Sequence, residues 1–472
     1  MQTRRTVLGK LLKACAALTF ARDSKILAEA VPALSVNLAQ TAPVEVPSNF
    51  TGLGYEMSSV ATPDLLSPAN QRYVELVRGL GRQGVLRVGG IVANYTRYVP
   101  DGPSRFDRQN TVITRAAIER FAAFLNTVGW SAIWSVNFAQ GTIPDAVGEA
   151  RVVSDVLGTR LLALEIGNEV DNYGKGQPFR PPLYDYEAYR KEYGEWHTAI
   201  AKAVPGIRFA APDTAKAVDW VERMAKDANG QVQLLTTHYY RNGQARGSAE
   251  QLLTVDPRLE DMVARLRAAS RQSGIPWRIC EINSFSGGGR PGVSDTFVGA
   301  LWTLNTMLLL AQCGCSGVNV ETGVNQLGFV SSYSPIQDDG KGMNSAGVPY
   351  YGMLAFAKAF AGCHQMFPLD GSRQSNFVHT YVLGAKGRAR NAVIVNMDSR
   401  ADAHVSLVNI GIKHAKILRL VAPAADSKTG ITLGGAQVDE SGRWRAASQE
   451  RIHDGSVAVP HMSAALIISP RT

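Results

Sequence analysis

The chain has 472 residues, of which 45% are hydrophobic and 19% are charged. These proportions are typical of a globular protein and exclude a disordered, collagen-like or coiled-coil chain. At about 150 residues per domain, the length predicts roughly three domains, or one large barrel with a smaller companion. Lys13 interrupts the apolar stretch near the N-terminus, which is too short for the roughly 20 residues that span a bilayer, so no transmembrane helix is expected.

Residues 1–30 have the character of an export signal. Arg4 and Arg5 precede a weakly apolar stretch over residues 11–21, and residues 28–30 have the small-x-small pattern of a cleavage site. The paired arginines resemble a twin-arginine signal. The alternative is a basic amphipathic helix that stays on the mature protein. We expect the mature chain to be periplasmic or secreted, with no insertion into a membrane.

The net charge of +9 depends partly on this segment. Residues 1–30 carry six basic and two acidic residues, so the rest of the chain has a net charge of +5. Without a run of five basic residues, no nucleic-acid partner is expected. The spacing of the remaining cysteines fits neither a zinc ribbon nor a CxxC pair, and the eight histidines are scattered, so no metal and no cofactor are expected. We expect free thiols at Cys280, Cys313, Cys315 and Cys363, and the alternative is a disulfide between two of them.

Between residues 50 and 325, short β-rich apolar runs alternate with amphipathic stretches of helix length. Eight such repeats predict a (β/α)8 barrel, whose active site lies at the C-terminal ends of its strands. The predicted strands are Gly52–Met57, Val85–Gly89, Ala132–Asn137, Leu161–Glu169, Ile207–Ala211, Leu234–Tyr240, Trp277–Phe285 and Gly317–Thr322. The predicted helices are Ser67–Leu80, Ala116–Val128, Tyr186–Ala203, Ala215–Lys226, Asp256–Ser273, Thr296–Gln312 and Tyr351–Phe360.

From about Ser372 the sequence changes to short alternating segments separated by turn residues, which predicts an antiparallel β-sandwich. Ala33–Leu38 has the same character and is assigned to the sandwich as a returning strand. The expected boundaries are 31–48 for this strand segment, 49–362 for the barrel and 363–472 for the sandwich. The segments with the sandwich pattern are Phe377–Val382, Ala392–Asn396, Ile417–Val421 and Ala464–Ile468.

Two glutamates occupy the predicted ends of strands four and seven. Glu169 closes the fourth run, and Glu281 lies in the seventh run, ahead of a glycine-rich segment. In a barrel these carboxylates would face each other across the mouth, as a proton donor and a nucleophile of a glycosidase do. The alternative is that each makes a surface ion pair or caps the following helix.

The residues around these glutamates resemble known motifs. Leu164–Glu169 is similar to the acid/base motif of the large clan of barrel glycosidases that carry catalytic glutamates on strands four and seven. Glu281–Gly289, followed by Val293–Phe297, resembles the nucleophile region of glycoside hydrolase family 79, the heparanase and β-glucuronidase family. The resemblance implies a barrel and a sandwich that together cover nearly all of the mature chain. Further similar segments are Tyr55-Glu56, Leu86–Gly90 and Tyr333–Ile336.

The resemblance implies roles for residues at the strand ends. Glu169 would be the general acid/base and Glu281 the nucleophile. We expect burial and the charge of Glu281 to raise the pKa of Glu169. Asn168 would bind the sugar 2-hydroxyl, with closure of a turn as its alternative role.

Three more residues are candidates at the same face. Tyr239, at the end of the sixth strand, would hold the nucleophile and contact substrate, unless it is a core or rim residue. Arg87 would donate to Glu281, or would serve a structural ion pair in the barrel mouth. Glu56 would contact the distal sugar hydroxyls, and the alternative is an exposed loop carboxylate.

The sugar carboxylate has its own expected site. Family members that bind glucuronate use a tyrosine in the glycine-rich loop, a backbone amide of that loop and a second tyrosine after strand eight. Tyr333 matches the second tyrosine and Gly288 the loop, but Ser286 stands where the loop tyrosine is expected. Arg290 is a substitute donor. We therefore expect a shallower preference for glucuronides, with neutral β-glycosides partly accepted.

These observations predict a retaining exo-β-glycosidase that acts on a carbohydrate substrate. The leading prediction within this class is a β-glucuronidase. Within the same class, the alternatives are an endo-acting, heparanase-like hydrolase and an exo-enzyme for a neutral sugar. Outside it, the alternative is a glycan-binding protein without activity, which the presence of both glutamates disfavours.

Overall fold

The computed structural model describes residues 34–323, 331–339, 342–371, 376–448 and 450–470. The predicted export signal over residues 1–30 lies outside these described residues. Within them, no helix combines the length and the apolar character that a membrane crossing requires. The four cysteines between 280 and 363 are free thiols.

Eight parallel strands close into a barrel, in which each strand pairs with its neighbours in sequence and the eighth pairs with the first. Each overlaps a strand predicted from the sequence, so the predicted barrel is confirmed. The strands are β1 (Gly52–Glu56), β2 (Val85–Gly89), β3 (Ser131–Val136), β4 (Leu161–Ile166), β5 (Phe209–Thr214), β6 (Leu234–Gly243), β7 (Trp277–Ser286) and β8 (Val318–Glu321).

A helix follows each barrel strand. The helix Ile143–Leu157, after β3, is missing from the sequence prediction. The outer helices are Gln71–Gly79, Arg115–Val128, Ile143–Leu157, Tyr186–Ala203, Val218–Asp227, Pro257–Ser273, Phe297–Gln312 and Val348–Ala359. Shorter elements in the connecting loops are the helices Ser58–Ala61, Gly90–Ala93 and Ala249–Leu253, and the paired strands Arg97–Val99 with Val112–Thr114 and Ile336–Asp338 with Asn344–Ala346.

Local side chains set the ends of these helices. The Thr142 side chain accepts a hydrogen bond from the Asp145 backbone amide, and the Asp145 carboxylate accepts one from the Thr142 amide. This reciprocal capping box starts the helix that the sequence analysis missed. Gly129, at φ 80°, ends the preceding helix because a glycine adopts the left-handed conformation without a Cβ clash.

The second domain consists of antiparallel strands in two sheets, as predicted. The larger sheet has the strand order Val44–Glu45, Gln365–Phe367, Val378–Ala385, Arg388–Asn396, Ser463–Ile468, Ala415–Val421 and Thr432–Leu433, and Glu450–Ile452 also pairs with Ala415–Val421. The smaller sheet contains Leu34–Ser35, Ala403–Ser406 and Ser456–Val459, and its first strand runs parallel to the second. Strands from before the barrel thus complete both sheets.

The helix Phe297–Gln312 joins the two domains. Its sequence is apolar on every face, and nearly all of its side chains are buried. Such a helix needs partners all round, and it packs in one continuous core with barrel and sandwich residues. The Tyr381 hydroxyl of the sandwich also donates to Asn305 Oδ1 at 2.9 Å. The sandwich is therefore held firmly against the barrel.

Glu149, on the helix Ile143–Leu157, makes stability depend on pH. Its buried carboxylate accepts a hydrogen bond from Trp134 Nε1 at 2.7 Å, and burial raises its pKa from 4.5 to about 7. The folded chain therefore binds this proton more tightly than the unfolded chain. The resulting stabilisation is complete below pH 4.5 and is lost as the pH rises through 7. At about 1.4 kcal/mol per pKa unit, ionisation of Glu149 costs the folded state about 3 kcal/mol.

We predict that Glu149→Gln increases the melting temperature more at pH 8 than at pH 4.5. At pH 8 the wild-type chain has to bury the charge of Glu149, whereas glutamine has no charge to bury. Thermal unfolding of both proteins at the two pH values measures this difference. An equal change at both pH values would contradict the assignment of a buried, titrating carboxyl group.

Candidate active site

Arg87 lies at the centre of the barrel mouth, and its side chain is completely buried. From β2 its guanidinium donates hydrogen bonds to groups on three other strand ends, so one cation ties together the carboxyl ends of four strands. Charge-assisted bonds of this kind are stronger than neutral ones and fix geometry. The acceptors are Glu165 Oε2 (3.0 Å), Glu281 Oε2 (2.9 Å), Asp213 Oδ2 (2.5 Å) and Asn168 Oδ1 (2.7 Å).

The two predicted catalytic glutamates lie on either side of His238. Carboxylate oxygens of Glu169 and Glu281 and a ring nitrogen of His238 all lie within 4.8 Å of one another. Glu281 Oε1 accepts a hydrogen bond from the Tyr240 hydroxyl at 2.8 Å, and Glu169 Oε2 accepts one from Asn172 Nδ2 at 3.1 Å. Both oxygens of Glu281 therefore have a donor, Arg87 for Oε2 and Tyr240 for Oε1, and the two glutamates face each other across a short gap.

His238 connects three carboxylates. Its Nε2 lies 3.0 Å from Asp213 Oδ1, and its Nδ1 lies 3.3 Å from Glu169 Oε1 and 3.8 Å from Glu281 Oε2. Burial disfavours the charged ring, but the negative charges of Asp213 and Glu281 outweigh burial and raise the pKa of His238 well above its ordinary value. His238 is therefore a second buried cation.

The expected raised pKa of Glu169 is wrong. Burial does raise it, as the sequence analysis assumed. The hydrogen bond and the positive charge of His238 act in the opposite direction and outweigh burial, so the pKa of Glu169 falls below its ordinary value. The two neighbouring groups are thus shifted in opposite directions, with the pKa of His238 raised and that of Glu169 lowered.

The expected contact between Tyr239 and the nucleophile is also wrong. The Tyr239 hydroxyl donates to Asp256 at 2.9 Å, and Tyr240 donates to Glu281 instead. Successive side chains of a strand point to opposite faces, so His238 and Tyr240 share the barrel interior and Tyr239 points to the outer helix. Tyr239 still lines the cleft beside Glu169.

Three other predicted residues lie in or beside the mouth. Asn168 is buried against Arg87. Glu56 Oε2 accepts a hydrogen bond from the Val92 amide at 2.8 Å, and burial, followed by the charge of Glu281, raises its pKa to about 7. The Tyr333 ring stacks on that of Tyr240, with 6.2 Å between the ring centres. Their contacts with a sugar stay predictions.

A cleft of about 560 Å³ opens beside Glu169, between the loops that follow β5 and β6. Ser286 lines it, and Gly288, at φ 90°, lies nearby with its carbonyl accepting a hydrogen bond from the Ser332 amide at 2.7 Å. The cleft walls combine apolar and basic side chains. Its other lining residues include Asn172, Lys216, Val218, Tyr239, Tyr240, Arg246, Arg258 and Met262.

Sequence reasoning missed several buried groups of the mouth. Asp213 follows the fifth predicted strand directly after Pro212, so its position at a strand end was a readable signal. His238 directly precedes Tyr239 on the sixth predicted strand, but the sequence analysis assigned it no role. Glu165, which accepts hydrogen bonds from Arg87 and from Ser135 Oγ at 2.7 Å, gave no separate signal inside its apolar strand. The pKa of Glu165 is raised to about 7, first by burial and then by Asp213.

We predict that Arg87→Met destabilises the chain by about 3–5 kcal/mol at pH 7.5, because Glu165, Asp213 and Glu281 lose their shared counterion. Without the cation, the carboxyl pKa values rise in the folded chain, so part of the loss is recovered as the pH falls to 5. Urea unfolding at the two pH values measures both effects.

The matched control is Arg115→Met, since Arg115 pairs with Glu119 and Asp155 on the surface. This variant should unfold close to the wild-type midpoint at both pH values. A loss for Arg87→Met no larger than that of the control would contradict a central role for Arg87.

Two kinds of comparison relate the chain to known proteins. No protein-family model matches it. The β-glucuronidase of Neurospora crassa is 25% identical over 303 residues, which are 57% of this chain and 50% of that protein. The chain thus spans about half the length of the curated relative it matches. This alignment confirms the resemblance to a β-glucuronidase that the motifs indicated.

Solved structures agree with the fold. A 4-O-α-L-rhamnosyl-β-D-glucuronidase from Fusarium oxysporum has a TM-score of 0.76 at 16% identity, over 92% of this chain and 100% of that one. A family 51 arabinofuranosidase from Xanthomonas axonopodis pv. citri has a TM-score of 0.68 at 16% identity, over 92% and 99%. A β-xylosidase from Caulobacter crescentus has a TM-score of 0.62 at 14% identity, over 93% and 100%. The chain is therefore similar in sequence to a β-glucuronidase and has the barrel fold of the glycosidase structures it matches.

Proposed function

We propose that the chain is a retaining exo-β-glycosidase whose preferred substrates are β-glucuronides. The observation that carries this proposal is the short distance between Glu169, just after β4, and Glu281, within β7, whose carboxylate oxygens lie within 4.8 Å of each other. Retaining glycosidases hold their two carboxyl groups about 5–5.5 Å apart, whereas inverting enzymes need about 6.5–9.5 Å to admit a water molecule.

In the first step Glu281 attacks the anomeric carbon of the sugar. The bond from this carbon to the glycosidic oxygen breaks, an ester bond to Glu281 forms, and Glu169 gives its proton to the departing oxygen. Hydrogen bonds from Arg87 and Tyr240 fix the orientation of the Glu281 carboxyl group. Asn168, held by Arg87, is positioned to bind the sugar 2-hydroxyl.

In the second step water attacks the same carbon from the side that the aglycone has left. Glu169 takes a proton from this water, the ester bond to Glu281 breaks, and the sugar leaves with its original configuration. The cleft beside Glu169 supports this order because it provides room for an aglycone and then for water.

The acid proton is shared by Glu169 and His238. In the free chain the proton lies on the ring, which is 3.3 Å from Glu169 Oε1. Once Glu281 is engaged with the sugar, one of the charges that retain the proton on His238 is removed, and transfer to Glu169 becomes easier. The two groups therefore titrate as one unit rather than separately.

The preference for glucuronides rests on the named relative and on the loop residues. Tyr333 and Gly288 keep the family pattern at the predicted carboxylate site, which supports a uronide substrate. Ser286 supports the alternative of a neutral sugar, because serine reaches less far than the tyrosine it replaces. The sequence of residues 1–30 supports export to the periplasm or beyond.

We predict that the chain hydrolyses an aryl β-glucuronide and releases the β-anomer first, which proton NMR of the fresh product detects. Glu281→Ala should abolish turnover, and added azide should restore it by forming the inverted glycosyl azide. Glu169→Ala should spare the first step for substrates with good leaving groups, since these need little protonation. Initial release of the α-anomer would refute double displacement.

We predict that His238→Gln moves the basic limb of the kcat/KM profile to lower pH. In the wild type, the shared proton is lost only as the pH passes the raised pKa of His238. In the variant the proton is held by Glu169 alone, whose carboxyl ionises at lower pH, so the rate at pH 8 falls more than the rate at pH 5.5.

The control is His461→Gln, because His461 is an exposed residue of the sandwich that pairs with Asp402. Its profile should coincide with that of the wild type. An unmoved basic limb in His238→Gln would exclude the shared proton while leaving the two glutamates in their roles.

A further inference from the structure

Glu321, the last residue of β8, has no role in the reaction described above. Its side chain is 4% exposed, and its Oε2 is buried without a hydrogen-bond partner among the described residues. Leaving a buried polar atom unpaired costs free energy, so such an atom needs an explanation. A bound ligand is the simplest partner for a polar group at the C-terminal end of a barrel strand.

The strand register shows where this side chain points. Glu321 pairs with Gly54 of β1, and Gly54 pairs with Arg87 of β2. Paired residues of neighbouring strands project to the same side of the sheet, and Arg87 projects into the barrel. Glu321 therefore also projects into the barrel. A Cβ at Gly54 would lie 2.6 Å from Glu321 Oε2, so the carboxyl group fills the space that this glycine leaves open.

The surroundings of Glu321 disfavour a negative charge. Burial is the largest effect, and the carboxylates of Glu281 on β7 and Glu56 on β1 add to it. Arg87 and His238 act in the opposite direction, but both are engaged with other carboxylates, and the pKa of Glu321 stays well above its ordinary value. The other titratable neighbours include the phenols of Tyr55, Tyr240 and Tyr333, whose pKa values are all raised, so they are neutral at physiological pH.

We propose that Glu321 is a specificity-determining residue: as a neutral carboxylic acid, it donates its hydrogen to the carboxylate of a bound uronic acid. This inference rests on the proposed function and names the group that reads the sugar. A bond from a carboxylic acid to a carboxylate is short and charge-assisted. Glu321 thus supplies a hydrogen-bond donor to the sugar carboxylate. Ser286, which stands in place of the expected tyrosine, reaches this carboxylate less easily.

The proposal makes sugar selection depend on pH. An ionised Glu321 would repel a uronate carboxylate, and so would Glu56, which ionises near pH 7. A neutral sugar carries no charge to repel. Preference for the uronide over the neutral glycoside should therefore be greatest at acidic pH and fall as the pH rises.

The experiment compares kcat/KM for 4-nitrophenyl β-D-glucuronide and β-D-glucoside between pH 5 and 8. In the wild type, the glucuronide-to-glucoside ratio should fall as the pH rises from 5 to 8, because Glu56 ionises within this range. Glu321→Gln keeps a donor, so its ratio at pH 5 should stay close to that of the wild type, and it should keep the pH dependence that comes from Glu56. Glu321→Leu has no donor and should lower the ratio at pH 5 about 10- to 100-fold.

Glu149→Gln is the matched control, because it replaces another buried glutamate that lies on an outer helix and pairs with Trp134. Its ratio should follow the wild type at every pH. An unchanged ratio in Glu321→Leu at pH 5, with both substrates affected equally or not at all, would overturn the proposal.

The two hypotheses fail differently. Hydrolysis of the glucoside with no glucuronide turnover at any pH would overturn the role of Glu321 and leave a glycosidase. Absence of turnover with both substrates would refute the proposed function, and the role of Glu321 with it. If Glu321→Leu does not fold, Glu321→Met takes its place as the variant without a donor, and Glu321→Gln stays the matched variant with one.

Discussion

The barrel mouth depends on the charge balance around one buried guanidinium. Arg87 could not be buried without anionic partners, because removing a lone cation from water costs several kcal/mol. Carboxylates from three other strands supply these partners. The same bonds that offset the desolvation of Arg87 also fix the nucleophile, so folding and positioning are achieved by one set of contacts.

The mouth contains more carboxyl groups than its cations can neutralise. Arg87 and His238 face six of them, and burial raises the pKa values of three: Glu56, Glu165 and Glu321. The pKa of Asp213 is lowered, because Arg87 and His238 outweigh its burial. Some carboxyl groups of this site therefore keep their protons and can donate hydrogen bonds, while others are ionised and can only accept them.

The barrel strands and the two glutamates could be predicted from the sequence, because they depend on hydrophobic periodicity and on position along a strand. The eight strands were recognisable because each is a short apolar run, and Glu169 and Glu281 were recognisable because they follow such runs. Tyr240 was missed because a single residue decides which face of a strand a side chain occupies. The lowered pKa of Glu169 was missed because its cause, His238, lies on another strand and acts only after the barrel has closed.

The strand order of the sandwich has a consequence for the order of assembly. Ser463–Ile468 lies between Arg388–Asn396 and Ala415–Val421, in the middle of the larger sheet. During synthesis this central strand emerges last among these elements, after every residue of the barrel. Until then the helix Val348–Ala359, which packs against this strand, lacks one of its partners. The newly made barrel therefore exposes an apolar surface that is covered only when the C-terminal segment is complete. Truncated chains should for this reason aggregate rather than accumulate as free barrels.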